Sequence, residues 1–247
     1  MSRRNFLLTL AYEGTSFAGW QRGPAEKGQR TVQREVETCL AAVLGEEVQV
    51  TGASRTDAGV HAEGQAASFH SRTSLSPEGI AEALEAAFPR DLHCRGCREV
   101  DPRFHARYRA KGKLYRYRLQ VGVPDPALRP WSLYVEGPLD LPAMKAAAAA
   151  LVGSHDFRAF TNEKAKVDCR RRLDAARVEQ DGPRVDLLFQ GDGFLYNQVR
   201  IMASAILEAG KGRLSVDELR RALADGDRRA IPGALGAFGL TLVEVHF

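Results

Sequence analysis

The sequence predicts an α+β protein made of two similar halves, each with the element order β-α-β-β-α-β. Alternating apolar residues indicate short strands, and amphipathic stretches with capping residues indicate helices. The same order of elements occurs twice along the 247 residues. This order is that of the RRM-like, or ferredoxin-like, split β-α-β plan. We therefore expect mainly antiparallel sheets and two domains, at residues 1–106 and 107–247.

The first half begins with a strand, because apolar residues occupy alternate positions of Phe6–Tyr12. Thr31 is placed to cap the first helix, whose apolar positions within Val32–Leu44 follow helical spacing. Ser76, followed by a proline and a glutamate, predicts the start of a second helix that ends near Ala87. Further strands are predicted at Glu47–Ala53, Gly64–His70 and Arg98–Asp101.

The second half repeats this order. A helix is predicted at Leu141–Leu151, with Pro142 in its first turn, and another at Tyr196–Ala209. A further short helix starts at Ser215, which forms a capping-box sequence with Glu218. Strands are predicted at Leu114–Val121, Arg172–Gln180, Arg184–Gln190 and Leu240–Phe247.

Composition indicates a globular protein of the cytoplasm. The hydrophobic fraction of 44% is sufficient for a core, and the formal net charge of +4 is small. No apolar run reaches the roughly 18 to 20 residues of a membrane span. The basic and then apolar N-terminal stretch lacks a signal-peptide cleavage site. The four cysteines do not make a disulfide framework in a chain of this length. We therefore expect a cytoplasmic protein with no membrane partner.

Basic charge is concentrated in residues 89–118, which contain ten basic and three acidic residues and so carry a net charge of +7. Aromatic side chains are interleaved with these charges: Phe104, His105, Tyr108, Tyr115 and Tyr117. Bases for phosphate contact and aromatic rings for stacking favour an RNA partner. A solvated linker and edge strand is the alternative. The excess of 28 arginines over 7 lysines fits phosphate binding or a GC-rich genome equally well.

The loop at residues 52–61 is the strongest candidate for chemistry. It follows an apolar strand and carries Asp57 close to Arg55, with small residues on both sides that let a bulky substrate approach. A carboxylate in such a loop can act as a nucleophile or a general base. An Asx-type turn, with Asp57 bonded to nearby backbone, is the alternative.

The sequence predicts neither a metal nor a cofactor. Cys94 and Cys97 form a single Cys-x-x-Cys pair beside His93, whereas a structural zinc site requires four ligands. The trio of Asp57, His61 and Glu63 fits no helical ligand motif, so a metal-dependent nuclease is only a rival hypothesis. Glycine-rich dinucleotide and phosphate loops are missing from the sequence.

Several blocks of the sequence resemble the TruA family of tRNA pseudouridine synthases, in matching order from about residue 5 onward. In the first half they are Tyr12-Glu13-Gly14, Phe17-Ala18-Gly19-Trp20-Gln21-Arg22, Thr31-Val32-Gln33, Arg55-Thr56-Asp57-Ala58-Gly59-Val60-His61 and Phe104-His105-Ala106-Arg107. In the second half they are Tyr115-Arg116-Tyr117, His155-Asp156-Phe157, Phe194-Leu195-Tyr196-Asn197-Gln198-Val199-Arg200 and Gly239-Leu240 followed by Leu242. The block around Asp57 is the most specific of these.

The resemblance implies an isomerase that converts uridine to pseudouridine at positions 38–40 in the anticodon stem-loop of tRNA. It further implies a homodimer that uses no cofactor and has a positively charged cleft between two RRM-like halves. The family's catalytic aspartate falls on Asp57, its active-site tyrosine on Tyr115, and the basic partner of the aspartate on Arg200. Arg55 matches the arginine beside the target nucleotide.

Three positions depart from the family's pattern. Gly23 replaces a glutamine, Cys169-Arg170-Arg171-Arg172-Leu173 replaces a segment that begins with threonine, and Gly236-Ala237-Phe238 replaces an alanine-proline segment. These changes affect the expected walls of the substrate pocket rather than the carboxylate chemistry. A non-catalytic RNA-binding protein with two RRM-like halves is the remaining rival hypothesis.

Overall fold

The computed structural model describes residues 3–21, 29–163 and 168–247. The chain forms two compact units, one of Met1–Lys111 with Thr241–Phe247 and the other of Gly112–Leu240. Each unit combines helices with mostly antiparallel strands, which confirms the predicted α+β class. No helix in the described ranges has both the length and the apolarity needed to cross a membrane. Arg22 and Gly23 of the first-half motif lie outside the described residues.

The strands are β1 (Arg4–Tyr12), β2 (Thr51–Gly52), β3 (His61–Ser71), β4 (Leu92–Val100), β5 (Gly112–Val121), β6 (Leu133–Val135), β7 (Gly153–Asp156), β8 (Arg170–Asp181), β9 (Arg184–Gly191) and β10 (Leu240–His246). The helices are α1 (Val32–Leu44), α2 (Pro77–Ala87), α3 (Ala106–Arg109), α4 (Leu141–Leu151), α5 (Gln198–Gly210) and α6 (Val216–Asp225). Short 3₁₀ turns lie at Gly14–Ser16, Pro126–Leu128, Phe157–Phe160, Arg228–Ala230 and Ala237–Gly239.

The sheet of the first unit is built around β1 and β3. β1 pairs antiparallel with β3 on one side and with β4 on the other. β2 pairs antiparallel with β3, and β10 pairs with the start of β3 in parallel. Phe6, Leu8 and Leu10 of β1 are fully buried, and the Phe6 ring stacks on Phe69 of β3 with centroids 5.3 Å apart. The alternation of the first strand therefore produces the core face that the sequence indicates.

The two long helices of the first unit begin at the residues predicted to cap them. The Thr31 hydroxyl accepts a hydrogen bond from the N–H of Arg34, and the Ser76 hydroxyl accepts one from the N–H of Gly79. The buried residues of α1 are Val32, Val36 and Leu40, which lie on one face at helical spacing.

Two strands of the first unit differ in length from the prediction. β2 pairs only at Thr51 and Gly52, because the backbone groups of Val50 before them bond to the side chains of Glu37 and Gln33 on α1 in place of a strand neighbour. β4 begins at Leu92, well before the predicted strand at Arg98–Asp101. Its first residues have no apolar alternation, and its register with β1 shifts at a bulge.

The second unit contains an antiparallel sheet in the order β5-β9-β8-β7, with β6 added in parallel to β5. α4 lies against α5 and β8, and Met144 and Leu151 of α4 are buried. The predicted capping box is present, since the Ser215 hydroxyl accepts from the N–H of Glu218 while the Glu218 carboxylate accepts from the N–H of Ser215. The sequence missed α3, β6 and β7, which are four residues or fewer and too short for periodicity.

The last strand lies with the first unit, although the sequence division places Leu240–Phe247 in the second half. Thr241 pairs with His61 of β3, and the Lys111 N–H donates to the carbonyl of His246 at 2.8 Å. The rings of Phe104 and Phe247 are 5.1 Å apart. The division of the chain into separate domains at residues 1–106 and 107–247 stays a prediction.

Gly14 is a point of close approach between the chain after β1 and the loop before β3. Its N–H donates to Nδ1 of His61 at 3.0 Å, and a Cβ at this position would lie 2.1 Å from the carbonyl oxygen of Val60. Because that neighbour is backbone, a side chain cannot be accommodated by rotamer change alone. The backbone after Asp57 would have to move.

Replacing Gly14 by alanine should therefore destabilise the protein by about 1–3 kcal/mol, the usual range for overpacking a close-packed site. The measurement is the midpoint of thermal unfolding. Gly96→Ala on β4 is the matched control, because nothing lies within 4 Å of a Cβ there. Equal midpoints for the two variants would show that the approach of Gly14 to Val60 is not a constraint.

Candidate active site

The loop that carries Asp57 connects β2 to β3 and is fastened by its backbone to neighbouring segments. The N–H of Trp20 donates to the carbonyl of Thr56 at 3.0 Å, and the N–H of Gly59 donates to Phe17 at 3.2 Å. The N–H of Val60 donates back to the carbonyl of Asp57 at 3.2 Å, which closes a tight turn. The backbone on both sides of Asp57 is therefore held in place.

A buried polar network lies beneath this loop. The side-chain amide of Gln65 accepts from the Ser54 N–H at 3.2 Å and donates to the Ser54 carbonyl at 2.7 Å. The same amide nitrogen donates to the Tyr12 hydroxyl at 3.4 Å, and that hydroxyl is 2.8 Å from Oγ1 of Thr56. Burial raises the pKa of Tyr12 to about 12, so its phenol keeps its proton at neutral pH. The network thus fixes Ser54 and Thr56, the residues on either side of Arg55.

Gly19 allows the segment after β1 to lie directly on the loop. Its φ of +100° is disfavoured for residues with a side chain, and a Cβ would lie 2.9 Å from the Thr56 carbonyl oxygen. The same Cβ would lie 3.2 Å from the backbone carbon of Asp57. The Phe17-Ala18-Gly19-Trp20 motif therefore supports the backbone of the candidate carboxylate.

Asp57 and Arg55 differ in exposure from the residue between them. Thr56 is buried, Asp57 is partly buried and Arg55 is exposed. This alternation places the two charged side chains away from the buried network while the loop backbone stays fixed. The fixed backbone limits the positions that the Asp57 carboxylate can take, which favours a reactive geometry.

His61 has a structural role at the end of the same loop. Its ring is fully buried, and Nδ1 accepts the hydrogen bond from Gly14, so the proton of a neutral ring lies on Nε2. No group of three or more histidine, cysteine or acidic side chains in the described ranges is arranged to hold a metal ion. This finding gives no support to the trio of Asp57, His61 and Glu63 as metal ligands.

The two thiols of the Cys-x-x-Cys pair on β4 are free and partly buried. Burial raises the pKa of Cys94, and it raises the pKa of Cys97 to about 12. The neighbouring His93 ring pairs with Glu85, with Nδ1 and Oε1 2.8 Å apart. A second carboxylate oxygen of Glu85 accepts from the N–H of Cys94 at 2.7 Å. These contacts give the segment a structural explanation.

In the second unit, Tyr115 and Tyr117 lie on the same face of β5, as alternate residues of a strand do. Tyr115 is 6% exposed, and its ring meets that of Phe194 edge to face with centroids 5.4 Å apart. Tyr117 is fully buried and donates to the Gly236 carbonyl at 2.8 Å. Burial raises the pKa of Tyr117, so this hydroxyl acts as a fixed donor.

Arg200 lies in the first turn of α5 and has a fixed side chain. Its Nε donates to the Leu235 carbonyl at 2.6 Å, and Nη1 donates to Oδ1 of Asn197 at 2.9 Å. Asn197 has a φ of +61°, and it is the only residue other than glycine with a positive φ in the described ranges. Arg200 also lowers the pKa of Tyr117 by its charge, which opposes the larger effect of burial. A fixed, partly buried guanidinium differs from the mobile surface charge that its helical position alone suggests.

The structure therefore places Arg55 and Asp57 on one loop of the first unit, and Tyr115 and Arg200 in the second unit. Sequence reasoning missed the two side chains that hold these groups, Gln65 and Asn197. Gln65 lies within an ordinary strand pattern, so no local signal distinguishes it. Asn197 could have been noticed, because asparagine is enriched at left-handed positions.

Known proteins match this chain along its length. Residues 9–109 and 147–247 match the family model described as tRNA pseudouridine synthase. A tRNA pseudouridine synthase A of Acetivibrio thermocellus is 38% identical over 247 residues, which cover 99% of this chain and all of the relative. Proteins of the same name from Moorella thermoacetica and Geobacillus sp. strain WCH70 are 42% and 40% identical. Their alignments cover 97% and 100% of this chain, and 98% and 99% of the respective relatives.

The family model includes the fastened Asp57 loop and Arg200, and the alignment with the Acetivibrio relative, which covers 99% of this chain, also includes Tyr115. This chain therefore belongs to the tRNA pseudouridine synthase family, a family of isomerases.

Proposed function

We propose that this protein converts uridine to pseudouridine at positions 38–40 in the anticodon stem-loop of tRNA, with Asp57 as the essential carboxylate. The single observation that carries the proposal is the family-matching loop around Asp57, whose backbone is fastened to Phe17, Trp20 and Gln65 as well as to itself. Family membership gives the reaction, and the resemblance of the sequence blocks gives the position in the tRNA.

The reaction needs no co-reactant. The bond between N1 of uracil and C1′ of ribose breaks, the base turns, and a bond forms between C5 and C1′. The proton on C5 leaves and N1 gains one, so that atoms and charge balance. Breaking the glycosidic bond makes the sugar electron-deficient, and an ionised Asp57 can respond by attacking C1′ or by removing the C2′ proton.

Arg200, Tyr115 and Arg55 receive roles on the basis of the resemblance. A fixed guanidinium at Arg200 would favour the ionised form of Asp57 and orient it. The Tyr115 ring would stack on the target uracil, and its hydroxyl would serve proton transfer. Arg55, which is exposed next to the buried Thr56, would contact the target nucleotide after the base has left its stack.

We propose the remaining organisation on the same basis. Each half is RRM-like, and the order β-α-β-β-α-β from β1 to β4 supports this for the first. A positively charged cleft, to which the segment at residues 89–118 contributes, receives the tRNA. The protein acts as a homodimer in the cytoplasm and uses no cofactor.

Asp57→Asn should abolish isomerisation, with turnover at least about 10³-fold lower, because an amide can neither attack carbon nor accept a proton as a carboxylate does. Binding of a tRNA transcript should stay within about threefold of wild type. The measurement is release of tritium from C5-labelled uridine in the transcript, which reports loss of the C5 proton.

Glu82→Gln on α2 makes the same charge change at an exposed position and should be fully active. Full activity of Asp57→Asn would refute the assignment. Binding of tRNA by the wild type with no change in nucleoside composition would favour the non-catalytic RNA-binding hypothesis instead.

Arg200→Ala should lower kcat by about 10²-fold or more, since the carboxylate loses the charge that orients it. Arg200→Lys should recover little, because an ammonium cannot reproduce the two directed bonds to Leu235 and Asn197. Arg220→Ala on α6, an exposed arginine paired with Asp217, is the control. Turnover of Arg200→Ala at the control's level would remove Arg200 from the mechanism.

Treatment with a chelator should leave isomerisation unchanged and the RNA intact. The proposed chemistry runs on side chains alone, whereas a nuclease using Asp57, His61 and Glu63 would require a divalent ion. Nucleoside analysis and RNA length are measured on the same sample with and without EDTA. Cleaved RNA that is protected by EDTA would favour the nuclease.

A further inference from the structure

Tyr108 on α3 presents its ring to solvent to an unusual degree. The side chain is 79% exposed, which makes it the most exposed aromatic residue in the described ranges. Apolar rings are normally buried, and an exposed one gains free energy when a partner covers it. Neither the catalytic roles of Asp57 and Arg200 nor the packing of the core explains this exposure.

The ring of Tyr108 is also held in position. It stacks on the ring of His105 with centroids 4.2 Å apart and an angle of 27° between the planes. His105 caps α3, because its Nδ1 accepts from the N–H of Tyr108 at 3.4 Å, while its carbonyl accepts from the N–H of Arg109 at 3.0 Å. The N–H of Ala106 donates to Oγ of Ser68 at 3.1 Å, which fastens α3 to β3. Stacking on such a ring costs little conformational entropy.

The ionised side chains in the segment around Tyr108 are all basic. Residues 102–111 contain no acidic residue, and the basic residues among them are exposed: Arg103, Arg107, Arg109 and Lys111. None of these four side chains forms an ion pair with another residue of the described ranges. They contrast with Arg118, which is bound through two nitrogens to Asp186 at 2.8 and 3.0 Å.

We propose that Tyr108 is a stacking site for an unpaired base of the RNA substrate, with the neighbouring phosphates contacted by Arg103, Arg107 and Arg109. The inference rests on the proposed function in that the partner is an RNA. A flat, preorganised ring among unpaired cations matches the way proteins hold single-stranded nucleotides. A second copy of this chain is disfavoured, because it would bring the same positive charges together.

The base on Tyr108 is distinct from the target uridine. α3 is fastened at Ser68 of β3, whereas Thr56 is bound to Tyr12, which pairs with Ala62 of the same strand. Six residues of strand separate Ser68 from Ala62, which corresponds to roughly 20 Å along β3.

The test measures the affinity of an unmodified tRNA transcript for Tyr108→Ala, Tyr108→Leu, Tyr108→Phe and Tyr108→Trp. Alanine and leucine should weaken binding by about fivefold or more, the usual effect of removing a stacked ring, whereas phenylalanine and tryptophan should bind as wild type. Leucine separates stacking from simple burial of an apolar group. For a short RNA duplex without unpaired bases, all four variants should bind equally.

Arg107→Ala supplies an independent readout. Removal of one phosphate contact should make the dependence of binding on salt shallower by about one unit of slope.

The outcomes separate the two proposals. If Tyr108→Ala and Tyr108→Leu bind the transcript within twofold of wild type, the stacking site is refuted, whatever the activity. A change of oligomeric state in these variants with unchanged RNA affinity would also refute it and assign the ring to a protein contact. If the wild type binds tRNA through Tyr108 but does not isomerise it, the proposed function fails and the stacking site stands.

Discussion

The bonding of Gln65 to both backbone groups of Ser54 is the interaction on which the candidate site most depends. At this point the β2–β3 ladder ends, and a side chain takes over the role of a strand neighbour. Because the Gln65 side chain replaces a strand neighbour, the residues after Ser54 can leave the sheet. The backbone N–H and carbonyl of Ser54 nevertheless stay hydrogen-bonded. Asp57 therefore lies on a loop whose backbone is irregular but still held by hydrogen bonds. A regular β-strand at this place would not form such a loop.

The network is costly to disturb because its members are buried together. Gln65 is fully buried, and Tyr12 and Thr56 are almost so. An unpaired polar group in such surroundings costs on the order of 1–3 kcal/mol, so each member constrains the others. The same burial raises the pKa of the Tyr12 hydroxyl. The loop is thus positioned by the interior of the first unit rather than by the exposed side chains next to it.

Local sequence patterns were sufficient to predict the helices and strands that depend on neighbouring residues in the chain. Thr31, Ser76 and Ser215 cap the helices expected of them, and the alternation of Phe6–Tyr12 forms a core strand. α5 begins two residues later than expected, because Asn197 adopts a left-handed conformation. These features depend on neighbours in the chain, so a single sequence contains the necessary signal.

Non-local contacts could not be read in the same way. The sequence near Gln65 does not indicate that its side chain bonds to Ser54, eleven positions earlier. The sequence near Gly14 does not indicate the close approach of Val60. The net charge of residues 89–118 could be read from the sequence. Which of these basic residues form ion pairs and which are exposed could not. The structure shows Arg118 bound to Asp186, while Arg103, Arg107 and Arg109 remain exposed. The net charge of this segment therefore follows from the sequence, whereas tertiary structure determines which of its basic side chains face solvent.

The parallel pairing of β10 with β3 has a consequence for biosynthesis. Thr241 and Leu242 bind to the strand that begins at His61, immediately after the Asp57 loop, across 180 positions of chain. Contacts of such long sequence separation form late, since the intervening loop must first be closed. A nascent chain on the ribosome thus carries the Asp57 loop long before it can complete the sheet behind it. The start of β3 therefore gains its parallel neighbour only after Thr241 and Leu242 have been synthesised.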